Sequence, residues 1–160
     1  MQKVEMILFC LILSLIVSTS FSQSILNKKT QSVIQYTLFN SPTEIDLVFY
    51  EKGYKPCKLT KDQLVVAKSI IKKVTDSLNL FNTSTNINTG IVDTLKHVFQ
   101  IVTAKNNKGQ IFLWINAICN PDKDWRRRIV FVIDGGSCYY RFKIDLTFRK
   151  YFDIVINSNG

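Results

Sequence analysis

RIVFVIDGGSCYYRFKIDLT, Arg128 to Thr147, is the stretch on which the reading of this chain turns. Apolar residues alternate on both sides of Gly135-Gly136, which predicts two strands joined by a two-residue hairpin turn, with Asp134 facing Ser137. Ile133 then meets Cys138, Phe131 meets Tyr140, and Ile129 meets Phe142. A three-residue turn at Phe148-Arg149-Lys150 leads into a last strand, Tyr151 to Asn157. That turn sets Leu146 opposite Phe152, Ile144 opposite Ile154, and Phe142 opposite Ile156. Every pair on this face is largely apolar, whereas a one-residue slip sets Ile144 against Asp153, so the pattern selects the register. This face is the expected core.

Working upstream, His97 to Ala104 and Gln110 to Cys119 read as two further strands around the turn composition Asn106-Asn107-Lys108-Gly109. Asn120 to Asp124 separates them from the strand Arg128 to Asp134. Asn79 to Gly90, polar and without periodicity, reads as a loop. Before it lies the clearest local signal in the chain. Thr60 caps a helix whose third residue is Gln63, a capping box, and Leu59 and Leu64 are spaced as its hydrophobic staple. Leu64, Ala67, Ile71, Val74 and Leu78 recur at spacings of three and four, which predicts a helix over Lys61 to Leu78. Glu44 to Tyr50 alternates through Ile45, Leu47 and Phe49 and reads as a short strand; Ser24 to Asn40 is ambiguous. One helix followed by strand upon strand specifies α+β: a long helix packed on a curved antiparallel meander of four to six strands.

The chain begins with a short lead carrying Lys3, an apolar run from Met6 to Val17, and small residues at Ser20 and Ser22. That run is too short to span a bilayer as a helix, which takes about 20 residues. Residues 1–22 therefore read as a signal peptide, and 23–160 as a single α+β domain that is secreted or periplasmic, with no membrane span after cleavage. Loss of Lys3 and Glu5 leaves the formal net charge of +9 unchanged. Such a charge favours an anionic partner such as an acidic polysaccharide, an anionic surface or an acidic protein, and export argues against nucleic acid.

Surface chemistry follows from the register. Tyr139, Arg141, Lys143 and Asp145 share the face opposite the core, and that mixed aromatic and basic surface is one candidate binding face. Its ordinary alternative is a solvated sheet face. Asp145 and Asp153 stand opposite each other there, an arrangement that normally destabilises a pair unless cations neutralise it. Trp125-Arg126-Arg127-Arg128, the densest positive run, is a second candidate: an aromatic ring beside guanidinium groups suits a sugar or an anion. Trp114, inside a continuous apolar run, reads as core. His97, the only histidine, has no recognisable nucleophile or carboxylate around it. No Cys-x-x-Cys or other metal spacing occurs, so neither a metal nor a cofactor is expected.

The run Phe112 to Cys119, then Trp125, then Ile129 to Tyr140, with Lys143 to Leu146 and Tyr151, resembles a group of small exported bacterial proteins of unknown function. Their tail carries a Trp-hydrophobic-Asn strand and an Asp-Gly-Gly-x-Cys-Tyr hairpin; Ala117 departs from the pattern, at a place where a further cysteine is expected. The outline is similar to cystatin-like folds in shape alone. Neither resemblance implies an activity.

The expectation is thus a non-catalytic interaction module for a protein or an anionic ligand. The alternative is a small exported hydrolase using His97 or the Asp145/Asp153 pair, which a cleft containing those groups would favour. Of the cysteines beyond the signal, Cys57, Cys119 and Cys138, at most two can bond. In the meander Cys119 and Cys138 lie at opposite strand ends, about 17 Å apart at roughly 3.3 Å per residue. They are therefore expected not to bond, leaving Cys138 as a buried thiol and Cys57 as the flexible partner for either.

Overall fold

Among the described residues eight α-helices and β-strands follow in order: β1 (Gln35–Phe39), α1 (Pro42–Val48), β2 (Lys55–Pro56), α2 (Lys61–Thr85), β3 (Val98–Lys105), β4 (Ile111–Ile118), β5 (Tyr139–Asp145) and β6 (Lys150–Ile156). This computed structural model describes residues 34–51, 53–85 and 96–157, all within one compact unit. The leader expected over residues 1–22 lies outside them.

The fold is α+β, built on one mixed sheet in the order β1-β3-β4-β5-β6, with β2 also on β3. From β3 to β6 it is an antiparallel meander, as the strand periodicity predicts, but with one strand fewer than expected. The other edge departs from that expectation. β1 runs parallel to β3, Gln35 opposite Val98 through Phe39 opposite Val102, and β2 follows it along the same edge against Ala104 and Lys105. A parallel pair needs a long crossover, and the chain from α1 to α2 supplies it.

α2 begins as its sequence dictates. The Thr60 amide donates to Gln63 Oε1 at 2.9 Å and the Gln63 amide donates to Thr60 Oγ1 at 3.2 Å, a closed capping box. It runs on past Leu78 to Thr85, through residues expected to form a loop; Asn79 to Thr85 contains neither Gly nor Pro to stop it. Ala67, Ile71, Val74 and Leu78 are buried against Phe99, Ile101, Leu113, Ile115, Phe142 and Ile144 on the first face of the sheet. A polar tie crosses this interface. Thr75 Oγ1 donates to the Ile71 carbonyl at 3.0 Å, so the Tyr140 hydroxyl is the donor in the 2.9 Å bond between Tyr140 and Thr75. Burial pushes the Tyr140 phenol up to about 12, so it stays protonated.

Three local expectations are overturned. Glu44 to Tyr50 is not a strand: Pro42–Val48 is helical, with Pro42 in the first turn and the Ser41 hydroxyl bonded to the Glu44 carboxylate. Ile45, Val48 and Phe49 are the buried residues, at helical spacing, while Leu47 is exposed. Ile45 and Phe49, four residues apart, fit both the strand and the helix period, whereas Leu47 fits only the strand.

Arg128 to Asp134 is not a strand either. It crosses the second face of the sheet as irregular chain, with Phe131 52 % and Ile133 93 % exposed. Gly135 and Gly136, both at positive φ, lead into a 3₁₀ turn, Gly136–Cys138, and not a tight hairpin. Only glycine fits at Gly135, where φ is +103° and a Cβ would stand 2.7 Å from the Tyr139 ring. With no strand between them, β4 and β5 are neighbours, and Ile118 pairs with Tyr139. Cys119 and Cys138, just beyond that pair, form a disulfide with Cα atoms 5.3 Å apart, against the expectation; Cys57 is the free thiol.

The β5–β6 register also differs. Asp145 pairs with Lys150 across a four-residue loop, and Tyr140 with Ile156, with a bulge between. Asp153 and Ile154 together oppose Phe142, Asp153 taking the left-handed conformation at φ 53°. Asp145 and Asp153 are therefore not opposed. The face assignment holds for β5, where Tyr140, Phe142, Ile144 and Leu146 are buried in the core and Tyr139, Arg141, Lys143 and Asp145 lie on the other side. On β6 it is reversed at the start of the strand: Tyr151 packs on the core, while Phe152 pairs with Lys143 and is partly exposed with Ile154.

Ile71 is wholly buried and Val65, on the same helix, is 67 % exposed. In urea unfolding, Ile71→Ala is expected to cost about 2–5 kcal/mol and Val65→Ala within about 0.5 kcal/mol. Equal losses would contradict this packing.

Candidate functional site

The second sheet face is where the chain's polar chemistry collects. It presents Gln100 and Val102 from β3, Phe112, Trp114 and Asn116 from β4, and Arg141 and Lys143 from β5. Two separate covers lie over it. α1 packs Ile45, Val48 and Phe49 on Val102, Ala104 and Trp114. The 120–134 segment covers the far end, where Trp125 is buried with Val98 and Ile118 beside Tyr139.

That irregular segment has no ladder to satisfy its backbone, so side chains of the sheet do it. Gln100, completely buried, donates from Nε2 to the Trp125 carbonyl at 2.6 Å and the Arg128 carbonyl at 2.7 Å. Its Oε1 accepts from the Val130 amide at 2.9 Å and from Asn116 Nδ2 at 3.1 Å. Asn116 Nδ2 also donates to the Val130 carbonyl at 2.7 Å. Asn157 Nδ2 holds the far end, donating to the Val132 carbonyl at 2.6 Å. All four hydrogen-bonding positions of the Gln100 carboxamide are used.

Between the two covers a groove of about 390 Å³ remains. Trp114, Arg141 and Lys143 form its floor, Leu47, Val48 and Tyr50 one wall, Phe131 the other, and Asp153, Ile154 and Val155 of β6 its side. The rim is apolar although solvent reaches it: Leu47, Tyr50, Phe131, Ile154 and Val155 are all exposed. The Phe131 ring sits 6.0 Å from the Trp114 ring. Lys143 Nζ pairs with Asp153 Oδ2 at 3.0 Å, with the Phe49 and Phe152 rings each 6.0 Å away. Arg141, half-buried, makes no ion pair or side-chain hydrogen bond with any described residue.

The residues singled out from sequence are divided by this geometry. Arg141 and Lys143 come together in the groove; Tyr139 lies apart, against Trp125. Trp125 is 4 % exposed, with the Arg126 guanidinium 4.1 Å from the ring centroid. Arg127 lies 4.0 Å from Asp124 and Arg128 bonds Asp122 at 2.6 Å. His97 is buried, its ring 5.4 Å from that of Tyr140. Asp145 caps the β5–β6 loop, accepting from the Phe148 amide at 3.1 Å, and helps raise the Tyr54 phenol, which burial raises most. Burial likewise pushes the Cys57 thiol up. Among the described residues no group of acidic, histidine or cysteine side chains is placed to hold a metal ion, and no helix is long and apolar enough to cross a membrane. Leu47, Tyr50 and Phe131 were missed as site residues; an exposed apolar residue within a misread strand carries no separate signal.

No protein family, curated protein or solved structure matches the chain.

The disulfide clamps both ends of the segment that carries Phe131. Non-reducing peptide mapping is expected to give a linked Cys119–Cys138 peptide and a freely alkylated Cys57. The Cys119→Ser/Cys138→Ser double variant is expected to lose about 3 kcal/mol, from the unfolded-chain entropy of a loop of this size. Cys57 found in the linkage would contradict the assignment.

Proposed function

We propose that this protein is a non-catalytic binding module whose ligand brings an anionic group and an apolar surface together into the groove on the second sheet face. The observation that carries the reading is Arg141. A guanidinium left without a carboxylate on the floor of an apolar-rimmed groove is a ready partner for a carboxylate, sulfonate or phosphate, which its planar fork engages with two parallel hydrogen bonds. The apolar rim adds burial energy and excludes water from that pair. The formal net charge of +9 aids the approach of an anionic partner.

The hydrolase reading has less support. His97 packs in the core and does not line the groove, Asp145 serves a turn, and Asp153 is engaged by Lys143. The Trp125–Arg128 corner is also the weaker binding candidate, because its ring is covered and two of its arginines face carboxylates.

The fluorescent probe 8-anilinonaphthalene-1-sulfonate combines one anionic group with apolar rings. It is expected to bind the folded protein at one site, at least ten-fold more weakly in Arg141→Gln, and equally well in Arg126→Gln. Equal binding by wild type and Arg141→Gln would refute the groove as the site.

A further inference from the structure

We infer that the groove takes a small carboxylate amphiphile, with Arg141 as the anion's partner and Asp153 setting the preference for a single negative charge by holding Lys143. This rests on the binding reading above and goes beyond it to the class of ligand.

Charge comes first. Three charged side chains line the groove, and two of them neutralise each other: Lys143 Nζ lies 3.0 Å from Asp153 Oδ2. One net positive charge remains, on Arg141. The bulge on β6 is what brings this about, since it turns Asp153 out of the strand's alternation and beside Lys143. The left-handed backbone there costs free energy for most residues, and Asp and Asn are the side chains that tolerate it best after glycine. A ligand with one negative charge satisfies Arg141 and meets no opposition. A dianion brings a second charge that finds Lys143 already engaged and Asp153 repelling it, an unfavourable juxtaposition that discriminates as strongly as a good contact. A neutral apolar ligand covers Arg141 without an acceptor and leaves a buried cation unpaired.

Size comes second. A volume of about 390 Å³ is toward the lower end of the roughly 300–1,000 Å³ usual for small-molecule sites. A stable protein partner needs roughly 800 Å² from each side. The exposed apolar residues Leu47, Tyr50, Phe131, Ile154 and Val155 all line this depression. They suit the tail of one small molecule.

Calorimetric titration of the full-length protein with decanoate, decyl phosphate and decanol tests this. In the wild type decanoate is expected to bind at least ten-fold more tightly than either of the others. Arg141→Gln is expected to abolish the advantage over decanol. Asp153→Asn keeps a side chain suited to the left-handed backbone and frees Lys143, so decyl phosphate is expected to gain at least ten-fold relative to decanoate. Lys143→Met is the second variant: it leaves Asp153 uncompensated and is expected to weaken decanoate. Decyl phosphate binding as well as decanoate in the wild type, or an unchanged ratio in Asp153→Asn, would overturn the inference. If decanoate does not bind but the anilinonaphthalene probe still binds through Arg141, this inference falls and the binding module stands. If an acidic apolar peptide binds through Arg141 and decanoate does not, the ligand is a protein segment and the inference is likewise overturned. If Arg141→Gln moves no probe, both readings fall.

Discussion

One buried carboxamide organises the second face of the sheet. Gln100 sits in the middle of β3 with no exposure, facing away from the helix-covered core. A bare amide in such a place costs several kcal/mol if its donors and acceptor go unmet. Here all are met, by the backbone of Trp125, Arg128 and Val130 and by the Asn116 side chain. The dependence is mutual. The 120–134 segment has irregular backbone that can approach the sheet only because Gln100 and Asn116 accept and donate in place of a strand neighbour.

The groove follows from that arrangement. A chain lying over one end of the face, and α1 over the other, leaves a trough between them, with Phe131 forming a wall that α1 alone could not provide. The Cys119–Cys138 bond fixes where the segment leaves and rejoins the sheet, while Gln100 fixes where its middle lies. The core on the opposite face, from Ile71 to Phe142, is a separate packing problem solved by α2. The core and the groove are thus built on two sides of one sheet. A change in the groove need not disturb the core.

What the sequence disclosed divides along the same line. The α2 start was legible because Thr60 and Gln63 satisfy each other within one turn. The core face of β5 was legible because alternation through Tyr140, Phe142 and Ile144 needs only its own strand, and the same alternation put Arg141 and Lys143 together. The misreadings in the second half of the chain involve distant partners. Ile129 to Ile133 alternates like a strand, but its backbone bonds go to the carboxamides of Gln100 and Asn116, 30 and 14 residues earlier, and of Asn157, 25 residues later. The cysteine pairing failed with it, since a strand wrongly inserted between β4 and β5 separates Cys119 from Cys138. The parallel β1 and the Asp153 bulge depend on pairings that local periodicity does not encode. Gln100 and Asn116 did carry a signal, polar residues within otherwise apolar strand runs, and a buried polar residue is the more informative exception.

The most direct test of this account is amide hydrogen exchange at Val130. Its N–H donates to Gln100 Oε1 at 2.9 Å although Val130 lies outside every helix and strand. The account predicts that the Val130 amide exchanges far more slowly than that of exposed Ile133, and that Gln100→Leu removes this protection while the amides of Ile71 and Val74 in α2 keep theirs. A Val130 amide exchanging as fast as Ile133 in the wild-type protein would contradict it.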